Sequence, residues 1–156
     1  MSVNILLITH NNIGNALIQA ATQTFGELPL PMAHLPIHKD CDPDDVIASI
    51  TPQIKTLSTG GGLLILTDMF GSTPYNIAQA FESRLIRIIT GVNLPMIIRI
   101  MNYPKLPLGK LAKTALLGGY QSMILCHPKH HRLPAEHRHL ITGKIYRHDP
   151  KEINHY

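Results

Sequence analysis

The stretch NILLITHNN, Asn4 to Asn12, decides how the rest of the chain is read. Ile5 to Ile8 form an unbroken aliphatic run with Val3 before it, where a strand with one wet face would alternate apolar and polar residues. The run therefore reads as a strand covered on both faces, and it ends on Thr9 and His10. Asn12 follows as a candidate cap for a helix carrying Ile13, Leu17, Ala20, Ala21 and Phe25 along one side. The opening segment is thus one strand-helix unit with a polar Thr-His pair at the carboxyl mouth of its strand.

The same alternation continues down the chain. LPMAHLPI (Leu30 to Ile37) reads as a second strand, and its prolines suit an edge position. DPDDVIASI opens a helix with Asp42 as cap, Pro43 at the first helical position and two acids in the first turn; Pro52 is expected to bend or restart it. GGLLILTD (Gly61 to Asp68) is the most buried-looking strand, followed by a tight loop and the helix PYNIAQAFES. LIRIITGV is a fourth strand, LPMIIRIM and LGKLAKTALLGGY are helical, and SMILC is a candidate C-terminal edge strand. Strands alternating with helices predict an α/β domain with a doubly wound, mostly parallel sheet and helices on both faces. His34 and His38 are read as surface residues beside strand two, and NLPMIIRI as core packing plus a crevice wall, with Asn93 and Pro95 at its rim.

Composition narrows the class. With 156 residues, 44% apolar and 15% charged, the chain suits one soluble domain with few surface charges, which favours pairing with itself or a partner. Two cysteines, Cys41 and Cys126, make no disulfide framework and fit a reducing cytosol. No leader pattern and no apolar run near the roughly 18 residues of a membrane span are visible. From Met1 to Cys126 eight Lys/Arg face seven Asp/Glu, whereas His127 to Tyr156 holds six against three, so that tail supplies +3 of the net +4. Seven of the ten histidines also lie there, so the basic pI gives no reason to expect nucleic-acid binding by the body. The expected division is a domain over 1–126 and a basic, His-rich extension over 127–156.

In an open parallel sheet, ligands sit outside the carboxyl ends of the strands, where strand order reverses. With a flavodoxin-like order of 2-1-3-4, strands one and three are neighbours, so His10 and Asp68 are expected to face each other there. A carboxylate holding the proton on one imidazole nitrogen leaves the other bare and stabilises the ring when it gains charge. In TDMFGSTPYN, Thr73 is the expected helix cap and Pro74 the first helical residue, which turns unpaired amides towards an anion. A histidine or aspartate at a strand end is commonly a turn residue, and Gly-Ser-Thr-Pro alone is a helix start. Their convergence at one crevice points to a group that accepts a phosphoryl and passes it on.

LLITHNNIGNALIQAA, LLILTDMFGSTPYNIA and ITGVNLPMIIRI resemble, in order and spacing, the signature segments of the mannose-type enzyme IIA of the bacterial phosphoenolpyruvate-dependent sugar phosphotransferase system. The resemblance covers about Met1 to Leu125. It implies a cytoplasmic phosphotransferase, often a homodimer with a C-terminal strand at the subunit contact, peripheral to the membrane only through permease partners. Its histidine takes a phosphoryl from the carrier protein HPr and hands it to an enzyme IIB, here a separate chain, without metal or organic cofactor. On this sequence His10 is the phosphorylated residue, Asp68 its orienting carboxylate, and Thr73, with Ser72, Gly71 and Thr9, the phosphate contacts. A regulatory module signalling through the phosphorylation state of His10 is the alternative, and a dihydroxyacetone-kinase type phosphodonor ranks third.

Two departures stand out. The family loop usually reads Gly-Gly-Ser-Pro, whereas Ser72 and Thr73 follow Gly71 here; a required positive φ at Ser72 would be costly, while its hydroxyl could donate to phosphate. In the tail, His130, His131, His137 and His139 match no closed tetrahedral metal site, so a solvated extension is expected ahead of transition-metal binding or contact with an acidic partner.

Overall fold

The computed structural model describes residues 2–125. Nine elements alternate: β1 (Asn4–His10), α1 (Ile13–Phe25), β2 (Met32–Ile37), α2 (Pro43–Leu57), β3 (Leu63–Thr67), α3 (Thr73–Gln79), β4 (Ile86–Thr90), α4 (Leu94–Met101) and α5 (Leu108–Gln121). The strands make one sheet in the order β2-β1-β3-β4, and all three pairings are parallel. This is the doubly wound order expected, with proline-bearing β2 at an edge.

Side-chain alternation divides the core in two. Ile5 and Leu7 of β1 and Leu64 and Leu66 of β3 face a cluster built from α1, α4 and α5, including Ala21, Met96, Ile97, Ile100 and Leu111. Leu6, Ile8, Leu63 and Ile65 face the opposite way, onto Ile54 of α2 and Ile77 of α3. Leu63 to Leu66 are fully buried, which is why β3 reads as a continuous apolar run. Each such side chain contributes about 1.5–3 kcal/mol on leaving water. The register pairs Ile8 with Thr67, so the residues that follow, Thr9-His10 and Asp68, emerge at the same end of the sheet.

Helix starts follow local chemistry. The Asp42 side chain accepts the Asp44 amide at 2.9 Å, and Asn93 accepts the Met96 amide at 2.9 Å; such caps contribute about 1 kcal/mol each. Asn12 occupies the cap position of α1 without a side-chain bond, because the Gly14 amide goes instead to the hydroxyl of Thr9 at 2.9 Å.

Three expectations need correction. The α2 helix runs through Pro52 without ending or restarting; the amide that Pro52 lacks costs one bond to Ala48, on a half-buried helix anchored by Ile54. The cap of α3 is Ser72, in extended conformation, and Thr73 is already the first helical residue. Of SMILC, residues 122–125 form a turn and irregular chain rather than a strand. The extension over 127–156, with His130, His131, His137 and His139, lies outside the described residues. Among the described residues no helix is long and apolar enough to cross a membrane.

Candidate active site

The carboxyl ends of β1 and β3, the two central strands, bring His10 and Asp68 together. Asp68 Oδ2 lies 2.8 Å from His10 Nδ1 and also accepts the His10 backbone amide at 3.1 Å. Its other oxygen accepts the Met69 amide at 3.1 Å. One carboxylate oxygen thus fixes both the backbone and the ring of the histidine. A carboxylate only accepts, so Nδ1 carries the proton, and in the neutral ring Nε2 is the bare nitrogen. Nε2 has no hydrogen-bond partner among the described residues, and the His10 side chain stays 37% exposed while that of Asp68 is 12% exposed. The largely shielded carboxylate and reachable ring suit a nucleophile whose charge rises during reaction. No other ion pair occurs among the described residues.

The β3–α3 loop forms the second wall. Gly71 takes a φ of 74°, the left-handed region that favours glycine. Ser72 has a φ of −81°, so the residue that replaces the usual second glycine adopts an ordinary conformation and carries no backbone strain. Its hydroxyl donates to Met69 O at 2.7 Å, which occupies the proton expected to reach a phosphate. Thr73 sits half-buried at the first position of α3, where helix geometry supplies no intrahelical acceptor for the amide. At the loop's outer side Met69 and Phe70 are exposed, and the Phe70 ring rests on Tyr75 with centroids 4.7 Å apart.

Thr9 departs from the expected role. Strand alternation points its side chain to the face opposite His10, where it is fully buried. Its Oγ1 accepts the Gly14 amide at 2.9 Å and lies 3.1 Å from His34 Nε2. It is not among the groups facing the His10 ring. His34 likewise is not a plain surface residue: it pairs with Leu7 across β1–β2, is half-buried, and burial holds its pKa below the usual imidazole value. The sequence signal for this was the strand period in MAHLPI, which sets His34 on the same face as core-packed Met32. His38 is exposed as expected, yet its Nδ1 lies 3.3 Å from Asn11 Oδ1, in the loop between β1 and α1.

No three His, Cys, Asp or Glu side chains converge as a metal site among the described residues. What the geometry provides is an oriented imidazole with a bare, accessible nitrogen. Residues 4–112 match the family described as the fructose IIA component of the PTS system, the mannose-type IIA family. The chain belongs to this family. It is 30% identical over 107 residues to the sorbose-specific EIIA component of Lacticaseibacillus casei, an alignment covering 63% of this chain and 71% of that one. The fructose-specific EIIA component of Bacillus subtilis is 26% identical over 102 residues, covering 64% and 69%. In fold, the IIA chain is similar to a mannose/sorbose specific IIA subunit from Enterococcus faecalis, with a TM-score of 0.73 at 21% identity over 83% of this chain and 98% of that one.

Proposed function

We propose that this IIA chain is a cytoplasmic phosphocarrier in sugar uptake, with His10 as its phosphoryl acceptor, phospho-HPr as donor and an enzyme IIB, alone or with a membrane permease, as recipient. The observation that carries it is the 2.8 Å contact between Asp68 Oδ2 and His10 Nδ1, which leaves Nε2 bare. In the forward step the Nε2 lone pair attacks phosphorus of the donor's phosphohistidine. The donor's N–P bond breaks, its imidazole leaves with the bonding electrons, and the N–P bond to His10 forms. Asp68 keeps hold of the Nδ1 proton and compensates the charge that the ring acquires. Transfer to the recipient reverses these events.

Thr73, its amide and the flexible approach permitted by Gly71 are the nearest candidates to meet the phosphoryl oxygens. Ser72 shapes the loop by its bond to Met69. Exposed Met69 and Phe70 on one side of the crevice and Ile13 on the other give a protein donor an apolar rim that excludes water during transfer. A homodimer has a fitting surface in the edge of β4, unpaired among the described residues, and the exposed Leu116, Leu117 and Tyr120 of α5, which a second copy would cover.

The test is incubation with phosphoenolpyruvate, enzyme I and HPr, followed by intact-mass measurement. One acid-labile phosphoryl on the wild type and none on His10→Ala is expected. No gain by the wild type, beside a competent IIA control, would refute the assignment.

A further inference from the structure

His10 is held on one side by Asp68, but the strand that carries it is held from the other side by groups that no part of the proposed transfer step uses. Behind β1, the Gly14 amide donates to Thr9 Oγ1 at 2.9 Å, and that oxygen lies 3.1 Å from His34 Nε2. The contact is built in closely: a Cβ on Gly14 would collide with His34 Cδ2 and lie 2.8 Å from Nε2, so the glycine lets α1 begin directly against this ring. A hydroxyl has one proton to give. With a lone pair occupied by the Gly14 amide, the Thr9 proton can go to His34 Nε2 at 3.1 Å or to the carbonyl of His10 itself at 3.5 Å. The shorter contact wins, provided that Nε2 is bare. Burial favours the neutral ring, which is the form that can offer it.

We propose that His34 is a positioning residue for His10: by accepting the Thr9 hydroxyl proton it locks the chain Gly14 N–H to Thr9 Oγ1–H to His34 Nε2, which clamps β2, the end of β1 and the start of α1 around the nucleophile. The peptide between Thr9 and His10 is the shared part. On one side it carries the amide bonded to Asp68 Oδ2 at 3.1 Å, and on the other the clamped threonine. Removing the acceptor on His34 frees the Thr9 hydroxyl to turn to the His10 carbonyl. The amide and ring of His10 then lose their common alignment on one oxygen. His34 touches no phosphoryl group and no partner protein in this scheme, so its loss slows the transfer step without weakening donor binding.

The proposal rests on His10 being the phosphoryl acceptor, and the experiment separates the two. Full-length His34→Leu, His34→Gln and Thr9→Val are compared with the wild type in single-turnover transfer from phospho-HPr. His34→Leu and Thr9→Val are each expected to lower the maximal rate about tenfold at an unchanged half-saturating donor concentration, as losses of orienting partners do. His34→Gln, whose amide oxygen can accept the same proton, restores most of the rate. Combining His34→Leu with Thr9→Val costs no more than either alone, because both break one chain of bonds. Amide hydrogen exchange read on the same proteins needs no phosphoryl donor: exchange at His10 and Gly14 quickens in His34→Leu, while Leu64 to Leu66 stay protected. Unchanged exchange at His10 and Gly14 overturns the proposal whatever the transfer assay gives. So do additive rate losses, a shift in half-saturation alone, or equal losses in His34→Leu and His34→Gln. A wild type that accepts no phosphoryl refutes the functional assignment and leaves the exchange result to decide the clamp.

Discussion

Two loops meet at the candidate active site, and they are held in opposite ways. The end of β1 and the β1–α1 loop are tied largely to other segments: His10 to Asp68 just after β3, Asn11 by its amide to Ile37 O at 3.0 Å and by its side chain to His38, and Thr9 to His34 as well as to Gly14 at the start of α1. Beyond the Asp68 contacts to His10, the β3–α3 loop is tied to itself, with the amide and hydroxyl of Ser72 both on Met69 O and the Met69 amide on the Asp68 carboxylate. The first loop presents a ring at a fixed angle. The second leaves Met69 and Phe70 exposed, where the proposed function puts the partner contact. Position and contact are thus assigned to different segments, and substitutions in the two should fail in different ways.

The sharpest division comes from His10→Ala, expected to abolish phosphoryl uptake in the intact-mass assay while the fold survives, since the side chain is partly exposed. Asp68→Ala should retain the nucleophile but release its ring and amide, slowing single-turnover transfer about a hundredfold with little change in half-saturation. Phe70→Ala should do the reverse, raising the half-saturating concentration of phospho-HPr about fivefold at unchanged maximal rate, as the loss of one exposed aromatic contact does. If Phe70→Ala lowered the rate alone, the separation of roles between the loops would break.

Smaller effects concern stability. Thr67, which follows the buried run of β3, has a fully buried hydroxyl with no hydrogen-bond partner among the described residues. Thr67→Val keeps the shape and removes that unpaired group, so chemical denaturation should show a gain of about 1 kcal/mol rather than a loss. Burial lowers the pKa of His34 from 6.5, so the folded chain takes up this proton less readily than the unfolded chain. Its contribution is present above about pH 6.5 and is lost as pH falls through the lower folded-state value. Thermal melts near pH 7.5 and pH 5.5 should therefore show a smaller acid-side drop for His34→Gln than for the wild type.

Much of this was legible before any coordinates. The continuous apolar runs of β1 and β3 announced central strands, the prolines of β2 an edge, and Asp42-Pro43 a helix start, because each depends on a few neighbouring residues and a fixed repeat. The His10–Asp68 pair followed from strand order alone, since both residues end adjacent parallel strands. The cap of α3 was displaced by one residue, from Thr73 to Ser72, because Gly71 takes the left-handed turn and leaves Ser72 in the extended conformation a cap requires. The restart expected at Pro52 is absent, since the packing of α2 through Ile54 outweighs one missing bond.

By itself, then, the sequence determined the elements, their order and the two residues that end the central strands, all consequences of local pattern. Only the tertiary structure decided what Thr9 and His34 do. Their roles depend on a side-chain contact between residues 25 apart in the chain and on the space left by Gly14, and distance between remote side chains leaves no trace in local periodicity. The same holds for Ser72, whose hydroxyl was free to serve a phosphate or its own loop until the backbone turned it towards Met69.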